Sequence, residues 1–310
     1  MPENKKFRLV TRSDFDGLVC AVLLKQLDII DDIKFVHPKD MQDGVVEIGP
    51  NDITTNLPYV EGVHIAFDHH LSETIRVGKK DNHVIHPDAP SAARVVYDYY
   101  GGAVRFPAAW DKMMEEVDKA DSAQYSLDDI IKPGGWTLLN YIMDARTGLG
   151  RFRDFRISNY QLMMNLIDYC RNHTIDDILA LPDVQERTDL YFEHEEKAKE
   201  QIKRCSTVYG NVVVLNLKDE ETIWACNRFM IYALYPACNI SIHVMWGLKQ
   251  QNTVFAIGHS IVTRTSKTNV GALCLSYGGG GHEKAGTCQV ANETWQDSLK
   301  DVVAKINADG

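Results

Sequence analysis

The sequence predicts an α/β protein with an N-terminal, mostly parallel sheet flanked by helices, a helical linker and a smaller C-terminal α/β domain. Three observations predict this class. Strand-like and helix-like apolar patterns alternate through the first 100 residues, one long charged helical stretch follows the middle of the chain, and a second alternation occupies the C-terminal third. A length of 310 residues is enough for two separate cores. We therefore predict domains at residues 1–183 and 207–310, joined by a linker at residues 184–206.

The N-terminal elements are short apolar runs separated by polar turns. Residues 7–10 (FRLV) predict a buried strand, and residues 18–27 (LVCAVLLKQL) have the apolar face of a helix. The runs IKFVHP, VVEIG and VHIAF predict further strands, and residues 91–100 (SAARVVYDYY) predict a second helix. Because such β-α-β alternation favours parallel strands, we expect ligands beyond the carboxyl ends of these strands.

The rest of the chain contains the linker and a second α/β pattern. Helical patterns dominate residues 106–178, and residues 184–205 predict one long helix whose opposite charges face solvent. Beyond it, NVVVLNL, NISIHVMWGL and TVFAIGHS predict strands, and residues 224–235 predict a helix between the first two of these strands.

Composition and charge exclude several classes of protein. Hydrophobic residues make up 45% and charged residues 25% of the chain, which is typical of globular domains. A formal net charge of −10 argues against a surface that grips long duplex nucleic acid, although it leaves a local basic groove open. The seven dispersed cysteines form no CxxC pair, so neither a disulfide framework nor a zinc knuckle is indicated. The lack of an apolar N-terminal segment, and of any run of about 18 apolar residues, predicts a cytoplasmic protein without a membrane anchor.

Two clusters of polar residues follow predicted strands. Asp14 and Asp16 lie in the turn after the first strand, and Asp68, His69 and His70 follow VHIAF. Carboxylates grouped with imidazoles, and without cysteine, suit divalent ions such as Mn²⁺ or Mg²⁺. Two alternatives stay open at this point. Either Asp16 or Ser13 simply caps the following helix, or AFDHH is an ordinary polar loop.

A glycine run near the C-terminus predicts an anion-binding loop. SYGGGGHEKAG contains four consecutive glycines (278–281) and then His282, and the bare backbone N–H groups of such a run can approach an anion closely. Upstream, RTSKTNV adds Arg264, Ser266 and Asn269, of which the arginine can pair with a phosphate through two hydrogen bonds. The alternative is a loop that only turns sharply. Metal ligands in one domain and an anion-binding loop in the other predict a phosphate-binding cleft between the two domains.

Three motifs, in this order, resemble the DHH phosphoesterase family: SDFDG at residues 13–17, the triplet DHH at residues 68–70, and GGGH at residues 279–282. The resemblance covers essentially the whole chain and is strongest to bacterial members described as exopolyphosphatase-related or nano-RNase-like. It implies a metal-binding DHH domain, a helical linker and a DHH-associated substrate-binding domain. It also implies metal-dependent hydrolysis of phosphoester or phosphoanhydride bonds, usually with two Mn²⁺ ions and with Mg²⁺ as the alternative.

The resemblance also implies a role for particular residues. The implied catalytic residues are Asp68, His69 and His70. The implied metal ligands are Asp14, Asp16, Asp52, His69 and one aspartate of a fourth motif. That aspartate is Asp118 or Asp121, and Asp121 is preferred because small residues flank it, as is typical of the motif. The implied substrate-binding residues are Arg264, Ser266, Asn269, Gly279, Gly280, Gly281 and His282.

Two positions depart from the family pattern. Relatives carry a histidine or an aspartate two or four positions before the first aspartate, as a ligand of one metal ion, whereas this chain has Arg12 and Val10 there. The number of bound ions, one or two, therefore stays open. Arg12 becomes a candidate for binding a substrate phosphate by its charge.

Together these observations predict a soluble metal-dependent phosphoesterase that hydrolyses short phosphorylated substrates such as nano-RNA, pApA or phosphoadenosine phosphate. A homodimer is compatible with this prediction, whereas a membrane or a long nucleic acid duplex is not an expected partner. Two alternatives stay open. The first is an exopolyphosphatase or pyrophosphatase that acts on inorganic polyphosphate, and the second is a non-catalytic nucleotide sensor in which Arg12 marks a decayed site.

Overall fold

The computed structural model describes residues 6–152 and 154–310, and these residues form two compact units. Within them, unit 1 contains the chain up to Gln124, Gly134–Ala145 and Gly150–Thr188, and unit 2 contains Tyr125–Pro133, Arg146–Leu149 and Asp189–Gly310. Both units combine a sheet with helices, so the predicted α/β class is confirmed. The predicted domain boundaries at residues 183 and 206 stay a prediction.

The helices of the described residues are numbered in chain order. They are α1 (Phe15–Gln26), α2 (Pro38–Gln42), α3 (Leu71–Val77), α4 (Ala92–Tyr99), α5 (Asp111–Asp121), α6 (Leu127–Ile131), α7 (Gly135–Met143), α8 (Asn159–Asn172), α9 (Ile175–Leu179), α10 (Pro182–Cys205), α11 (Met230–Leu234), α12 (Val270–Leu275) and α13 (Trp295–Asp309). Helix α10 is the predicted long charged helix, and ion pairs such as Lys197–Glu193 lie along it. None of the helices in residues 6–152 and 154–310 is long and apolar enough to cross a membrane.

Unit 1 is built on a parallel sheet. Its strands are β1 (Phe7–Arg12), β2 (Ile30–Val36), β3 (Asp52–Thr55), β4 (Ile65–Asp68) and β5 (His83–Ile85). The spatial order is β2-β1-β3-β4-β5, and all neighbouring pairs are parallel. The strand order reverses between β1 and β3, and ligands of parallel sheets usually bind beyond the carboxyl ends of the strands at such a point.

Helix α1 lies at the centre of the unit 1 core. Residues 15–24 are all buried, and the helix contacts β1, α4, α5 and α8. A helix that is apolar all round is stable only when neighbouring elements cover every face. Lys25 and Asp168 add an ion pair between α1 and α8.

Unit 2 is built on a mixed sheet. Its strands are β6 (Ser206–Tyr209), β7 (Val212–Asn216), β8 (Ile240–Trp246), β9 (Thr253–His259), β10 (Gly280–His282) and β11 (Ala285–Val290). The spatial order is β10-β11-β9-β8-β7-β6, in which β7 and β8 are parallel and the other pairs are antiparallel. The apolar face of this sheet packs on α12 and α13 through buried residues such as Ile242, Phe255, Val270 and Ile306.

The predicted strand VVEIG (45–49) is wrong. In this segment Val46 packs against Val10 and Met41 from a loop, and the Glu47 carbonyl accepts a hydrogen bond from the Arg8 side chain rather than from a neighbouring strand. The strand of this region begins three residues later, at β3.

The predicted helix at residues 224–235 is too long, because only α11 is helical. The N–H groups of Trp224 and Cys226 donate to Gln201 Oε1 (3.1 Å) and to the Thr147 carbonyl oxygen (3.0 Å). These bonds tie the start of the segment to residues outside it, and the helix begins only at Met230.

Candidate metal centre

Polar residues follow three strands of unit 1 at their carboxyl ends. Asp14 comes shortly after β1, Asn56 directly follows β3, and Asp68 is the last residue of β4. Because β1 and β3 are neighbours where the strand order reverses, the side chains after them can meet.

Asp14 and Asp16 have different roles in the turn after β1. Asp14 is the N-cap of α1, and its Oδ1 accepts a hydrogen bond from the Gly17 N–H group at 2.9 Å. Asp16 is buried in the first turn of α1, and its carboxylate accepts the N–H groups of Ala92 and Ala93 at 2.9 and 2.7 Å, where α4 begins. The cap is therefore Asp14, and not Asp16 or Ser13 as the alternative prediction had it. The N-terminus of α4 holds the carboxylate of Asp16 in place.

Gly17 allows this turn to close. A Cβ atom there would lie 1.9 Å from the Arg12 carbonyl oxygen and 2.8 Å from Thr11 Oγ1, so any other residue would push α1 away from the end of β1. The close approach keeps both aspartates of the turn beside the carboxyl ends of the strands.

His69 and Asp121 form a group of metal-ligating side chains with Asp16. Nδ1 of His69 lies 3.1 Å from the Ala89 carbonyl oxygen, which can only accept, so Nδ1 carries a proton and donates it. The buried Nε2 of His69 lies 3.0 Å from Asp121 Oδ2 but makes no well-formed hydrogen bond. One ligand atom from each of the three residues lies within 4.8 Å of the other two.

The pKa values of these three groups reflect crowded negative charge. Burial raises the pKa of Asp16 well above its usual range, and the charge of Asp121 raises it further. Burial acts to lower the pKa of His69, but the Asp121 contact and the charge of Asp16 outweigh burial and raise it to about 9. Burial acts to raise the pKa of Asp121, but the contact with His69 lowers it overall. A positive charge between the two carboxylates is thus strongly favoured.

These residues fit a divalent cation. Two carboxylates and one imidazole suit harder divalent ions. The bond from His69 Nδ1 to a backbone carbonyl orients the ring and directs Nε2 to the carboxylates, as is usual for metal-ligating histidines. The buried Nε2, without a well-formed hydrogen bond, is the atom that a cation would satisfy.

Asp68 organises the loop that carries both histidines. Its Oδ1 accepts the His69 N–H group at 2.9 Å and the Nδ1–H group of His70 at 2.7 Å. Its other oxygen, Oδ2, is buried without a hydrogen-bond partner. The structure therefore places Asp68 where it orients His70, and the predicted catalytic roles of this triplet stay predictions.

Asp118, the alternative residue of the fourth motif, has other partners. Its Oδ1 accepts the Ser91 hydroxyl at 2.7 Å, and its Oδ2 accepts Nε–H of Arg94 at 2.9 Å. These bonds connect α5 to the beginning of α4. Asp121, and not Asp118, contacts His69.

The assignment of Asp52 as a metal ligand is wrong. Asp52 is the first residue of β3 and is in register with Arg8 near the amino end of β1. Its carboxylate accepts two hydrogen bonds from Arg8, at 2.8 and 2.9 Å, and one from the Gly49 N–H group at 2.7 Å. The rest of β3, about 10 Å of extended chain, separates it from the carboxyl ends of the strands.

Asn56, and not Asp52, is the polar residue at the carboxyl end of β3. It is buried, and its Nδ2 lies 3.3 and 3.4 Å from the two carboxylate oxygens of Asp14. The sequence analysis missed this residue. The available signal was the β-branched run Ile-Thr-Thr followed directly by a polar residue.

The predicted anion-binding loop lies in unit 2, where two of its glycines have a packing role. A Cβ atom at Gly279 would lie 2.1 Å from a carbonyl oxygen of β11, and a Cβ atom at Gly281 would lie 2.3 Å from Gly286 Cα. Both glycines let the backbone approach β11 closely. A Cβ atom at Gly280 would meet nothing within 4 Å, and His282 is exposed. Substrate binding by these residues stays a prediction.

Arg264, Ser266 and Asn269 lie in the segment before α12. Arg264 is exposed and has a positive φ of 54°, and the Ser266 hydroxyl is buried without a hydrogen-bond partner. Asn269 is the N-cap of α12, and its Oδ1 accepts the Ala272 N–H group at 2.9 Å. Asn269 therefore has a structural role, while substrate binding by all three residues stays a prediction.

Comparison with known proteins identifies relatives among the solved structures. No family model and no curated protein matches the chain. The pGpG-specific phosphodiesterase PggH from Vibrio cholerae is 61% identical, with a TM-score of 0.86 over 98% of this chain and 100% of that chain. RecJ from Thermus thermophilus in complex with Mn²⁺ has a TM-score of 0.54 at 12% identity, over 98% of this chain and 52% of that chain. CDC45 from Entamoeba histolytica has a TM-score of 0.50 at 9% identity, over 98% and 95% of the two chains.

The two distant relatives are similar in fold alone, whereas identity of 61% over the full length establishes common family membership. The aspartates after β1, the DHH triplet after β4 and the GGGH run of unit 2 occur in the order that the resemblance requires. The chain belongs to the DHH phosphoesterase family.

Proposed function

We propose that the chain is a metal-dependent phosphodiesterase that hydrolyses short linear dinucleotides, with pGpG as the first candidate substrate. The observation that carries this proposal is the identity of 61%, over 98% of the chain, to a phosphodiesterase specific for pGpG. The reaction adds one water to the internal phosphodiester of pGpG and yields two molecules of guanosine monophosphate. A cytoplasmic location and a homodimer stay predictions.

Asp16, His69 and Asp121 would hold the divalent cation of this enzyme. We propose Mn²⁺ as the ion and Mg²⁺ as the alternative, because oxygen ligands suit both ions and the imidazole favours Mn²⁺. Such an ion, when bound, supplies Lewis acidity at a phosphoryl oxygen and lowers the pKa of water toward neutrality.

Asp68 and His70 are suited to move a proton in this reaction. Because Asp68 Oδ1 accepts Nδ1–H of His70 at 2.7 Å, proton transfer by this ring takes place at Nε2. The buried carboxylate of Asp68 also stabilises the imidazolium that forms when His70 takes up a proton. Asp68→Asn keeps an oxygen for the two N–H groups but removes the charge.

Arg264 and His282 are the residues of unit 2 that we propose for substrate binding. Both side chains are exposed, and both carry N–H donors that suit a phosphate. Arginine can also stack on a nucleobase, which inorganic polyphosphate does not offer.

The test measures hydrolysis with Mn²⁺ by the full-length protein. The substrates are pGpG, pApA, a cyclic dinucleotide, phosphoadenosine phosphate and tripolyphosphate, and the products are separated by chromatography. We expect pGpG to be cleaved to guanosine monophosphate, and we expect Asp68→Asn to lower kcat about 10²–10⁴-fold, as is typical for loss of assisted proton transfer.

Other outcomes would reject parts of the proposal. Release of phosphate from tripolyphosphate, with pGpG left intact, would support an exopolyphosphatase instead. Binding of pGpG without turnover of any substrate would support a nucleotide sensor. Equal rates for Asp68→Asn and wild type would remove Asp68 from the mechanism.

A further inference from the structure

The side chain of Arg12 lies at the end of β1, next to the metal centre of unit 1. Its Nε is 2.9 Å from Asp14 Oδ2, and the exposed fractions of the two side chains are only 35% and 20%.

Donors from its own chain surround the carboxylate of Asp14. Besides Arg12 at Oδ2, the Gly17 N–H group donates to Oδ1 at 2.9 Å, and Asn56 Nδ2 lies within 3.4 Å of both oxygens. Asn56 is buried and neutral, so it supplies a hydrogen bond without adding negative charge. Both oxygens of Asp14 are thus already engaged.

The charges around the two aspartates of the turn differ. The charges of Asp14 and Arg12 cancel each other, whereas Asp16 and Asp121, as ligands, would present two negative charges that one divalent cation would balance. A second divalent cation at Asp14 would have to displace a guanidinium that lies 2.9 Å from the carboxylate, and it would be repelled by that charge at close range. The residues around Asp14 therefore do not fit the second ion that the family resemblance implies.

We infer that this centre holds a single divalent cation, on Asp16, His69 and Asp121, and that the guanidinium of Arg12 supplies the second positive charge from within the chain. The inference rests on the proposed metal site. The remaining N–H groups of the Arg12 guanidinium can bind phosphate oxygens. Arg12, the last residue of β1, thus supplies the positive charge that a second ion would otherwise place beside the substrate phosphate.

The number of bound ions tests the inference without any substrate. Equilibrium dialysis and metal analysis give the Mn²⁺ content per chain, and the electron paramagnetic resonance spectrum of the saturated protein reports whether ions are coupled. We expect one Mn²⁺ per chain and the six-line spectrum of an isolated ion. Two ions per chain, with the broadened spectrum of a pair about 3.5–4 Å apart, would overturn the inference.

Two double variants sharpen this test. Arg12→Gln with Asp14→Asn removes a cancelling pair of charges, and we expect it to keep one Mn²⁺ with a Kd within about threefold of wild type. Asp16→Asn, as the contrasting variant, should weaken binding by more than about 100-fold, because loss of a ligand exceeds the 10–100-fold cost of losing an outer partner. Loss of an ion from the first double variant would show that Asp14 is a ligand.

The second double variant, Arg12→His with Asn56→Asp, replaces the guanidinium and the amide by metal-ligating groups. We expect it to bind two Mn²⁺ ions and to show the coupled spectrum. Thermal unfolding shows whether this variant is folded. If it is folded and still binds only one ion, Arg12 is not the reason why a second metal ion is absent. If it does not fold, the Mn²⁺ content of the Arg12→Gln, Asp14→Asn variant alone decides whether Asp14 is a metal ligand.

Failure of the inference and failure of the proposed function give different results. Wild-type protein that binds no Mn²⁺ would reject both the metal site and the inference. Wild-type protein that binds two ions would reject the inference and leave the phosphodiesterase proposal intact.

Discussion

Asp118 and Asp121 lie one turn apart on α5, yet their surroundings give them different roles. Asp118 accepts hydrogen bonds from Ser91 and Arg94, which hold α5 against α4. Asp121 instead contacts the buried Nε2 of His69. The sequence favoured Asp121 from its flanking small residues but kept Asp118 as the alternative, because spacing along a helix does not tell which carboxylate meets the histidine loop.

The pair of variants Asp121→Asn and Asp118→Asn separates these roles. We expect Asp121→Asn to weaken Mn²⁺ binding by more than about 100-fold while its midpoint of thermal unfolding stays near that of wild type. We expect Asp118→Asn to keep its metal and to lower the free energy of unfolding by about 1–3 kcal/mol, because Arg94 loses its charged partner. Metal analysis and urea unfolding measure the two effects. The opposite pattern would make Asp118 the ligand.

Asp52 offers a second prediction at the level of single residues. Because its carboxylate pairs with Arg8 at the amino end of the sheet, we expect Asp52→Asn to lower the free energy of unfolding by about 1–3 kcal/mol. The Mn²⁺ content should stay that of wild type. A variant of normal stability that has lost its metal would restore Asp52 as a ligand.

At the level of elements, the glycines of β10 make a third prediction. Gly281 has a φ of 157°, and its added Cβ atom would overlap Gly286, whereas Gly280 has open space. We therefore expect Gly281→Ala to lower the free energy of unfolding by more than about 2 kcal/mol, and Gly280→Ala to change it by less than about 1 kcal/mol. Urea unfolding of both variants is the measurement, and equal stability would mean that β10 can move without cost.

Strand-end positions explain which parts of the site the sequence could predict. Apolar runs that are strands in the structure precede Asp14, Asp16 and the DHH triplet. The predicted parallel sheet therefore placed these residues together at the carboxyl ends of its strands. Asp52 was assigned from the resemblance alone, and the predicted strand VVEIG gave no indication that Asp52 begins a strand of its own, β3. Because these strands are short, an error of a few residues in a strand's position moves a side chain from the carboxyl end of the strand to its amino end.

Long-range hydrogen bonds explain the rest of what the sequence could not predict. The segment before α11 has helical composition, but contacts with Gln201 and Thr147, which are distant in the sequence, hold it in a non-helical conformation. The contact of Asn56 with Asp14 likewise joins two residues that lie 42 positions apart in the sequence. Neither contact leaves a periodic signal in a single sequence.

At the level of the whole molecule, His243 of β8 makes stability depend on pH. Burial, and then the charge of Arg228, lower its pKa from 6.5 to about 4. Between these two values the unfolded chain binds a proton that the folded chain does not, so stability falls as the pH falls through this window and is unaffected above it. The loss amounts to about 2 kcal/mol at about pH 5.

The variant His243→Gln isolates this effect from all other titrating groups. Its free energy of unfolding, relative to wild type, should rise by about 2 kcal/mol between about pH 7.5 and about pH 5. Urea unfolding at both pH values gives the comparison. A constant difference between variant and wild type would show that His243 titrates alike in the folded and unfolded chains.

The interleaving of the two units has a consequence for how this family can vary. The described residues alternate between units 1 and 2 in six segments, so the chain crosses five times from one unit to the other. Within unit 2, Asn227 donates to the Ile130 carbonyl oxygen at 3.1 Å, and Cys226 donates to that of Thr147 at 3.0 Å. If recombination exchanged residues 189–310 between two relatives, the hybrid chain would receive only one residue of each contacting pair from the new parent. New substrate preferences are therefore expected to arise by point substitution within an intact chain rather than by exchange of a C-terminal module.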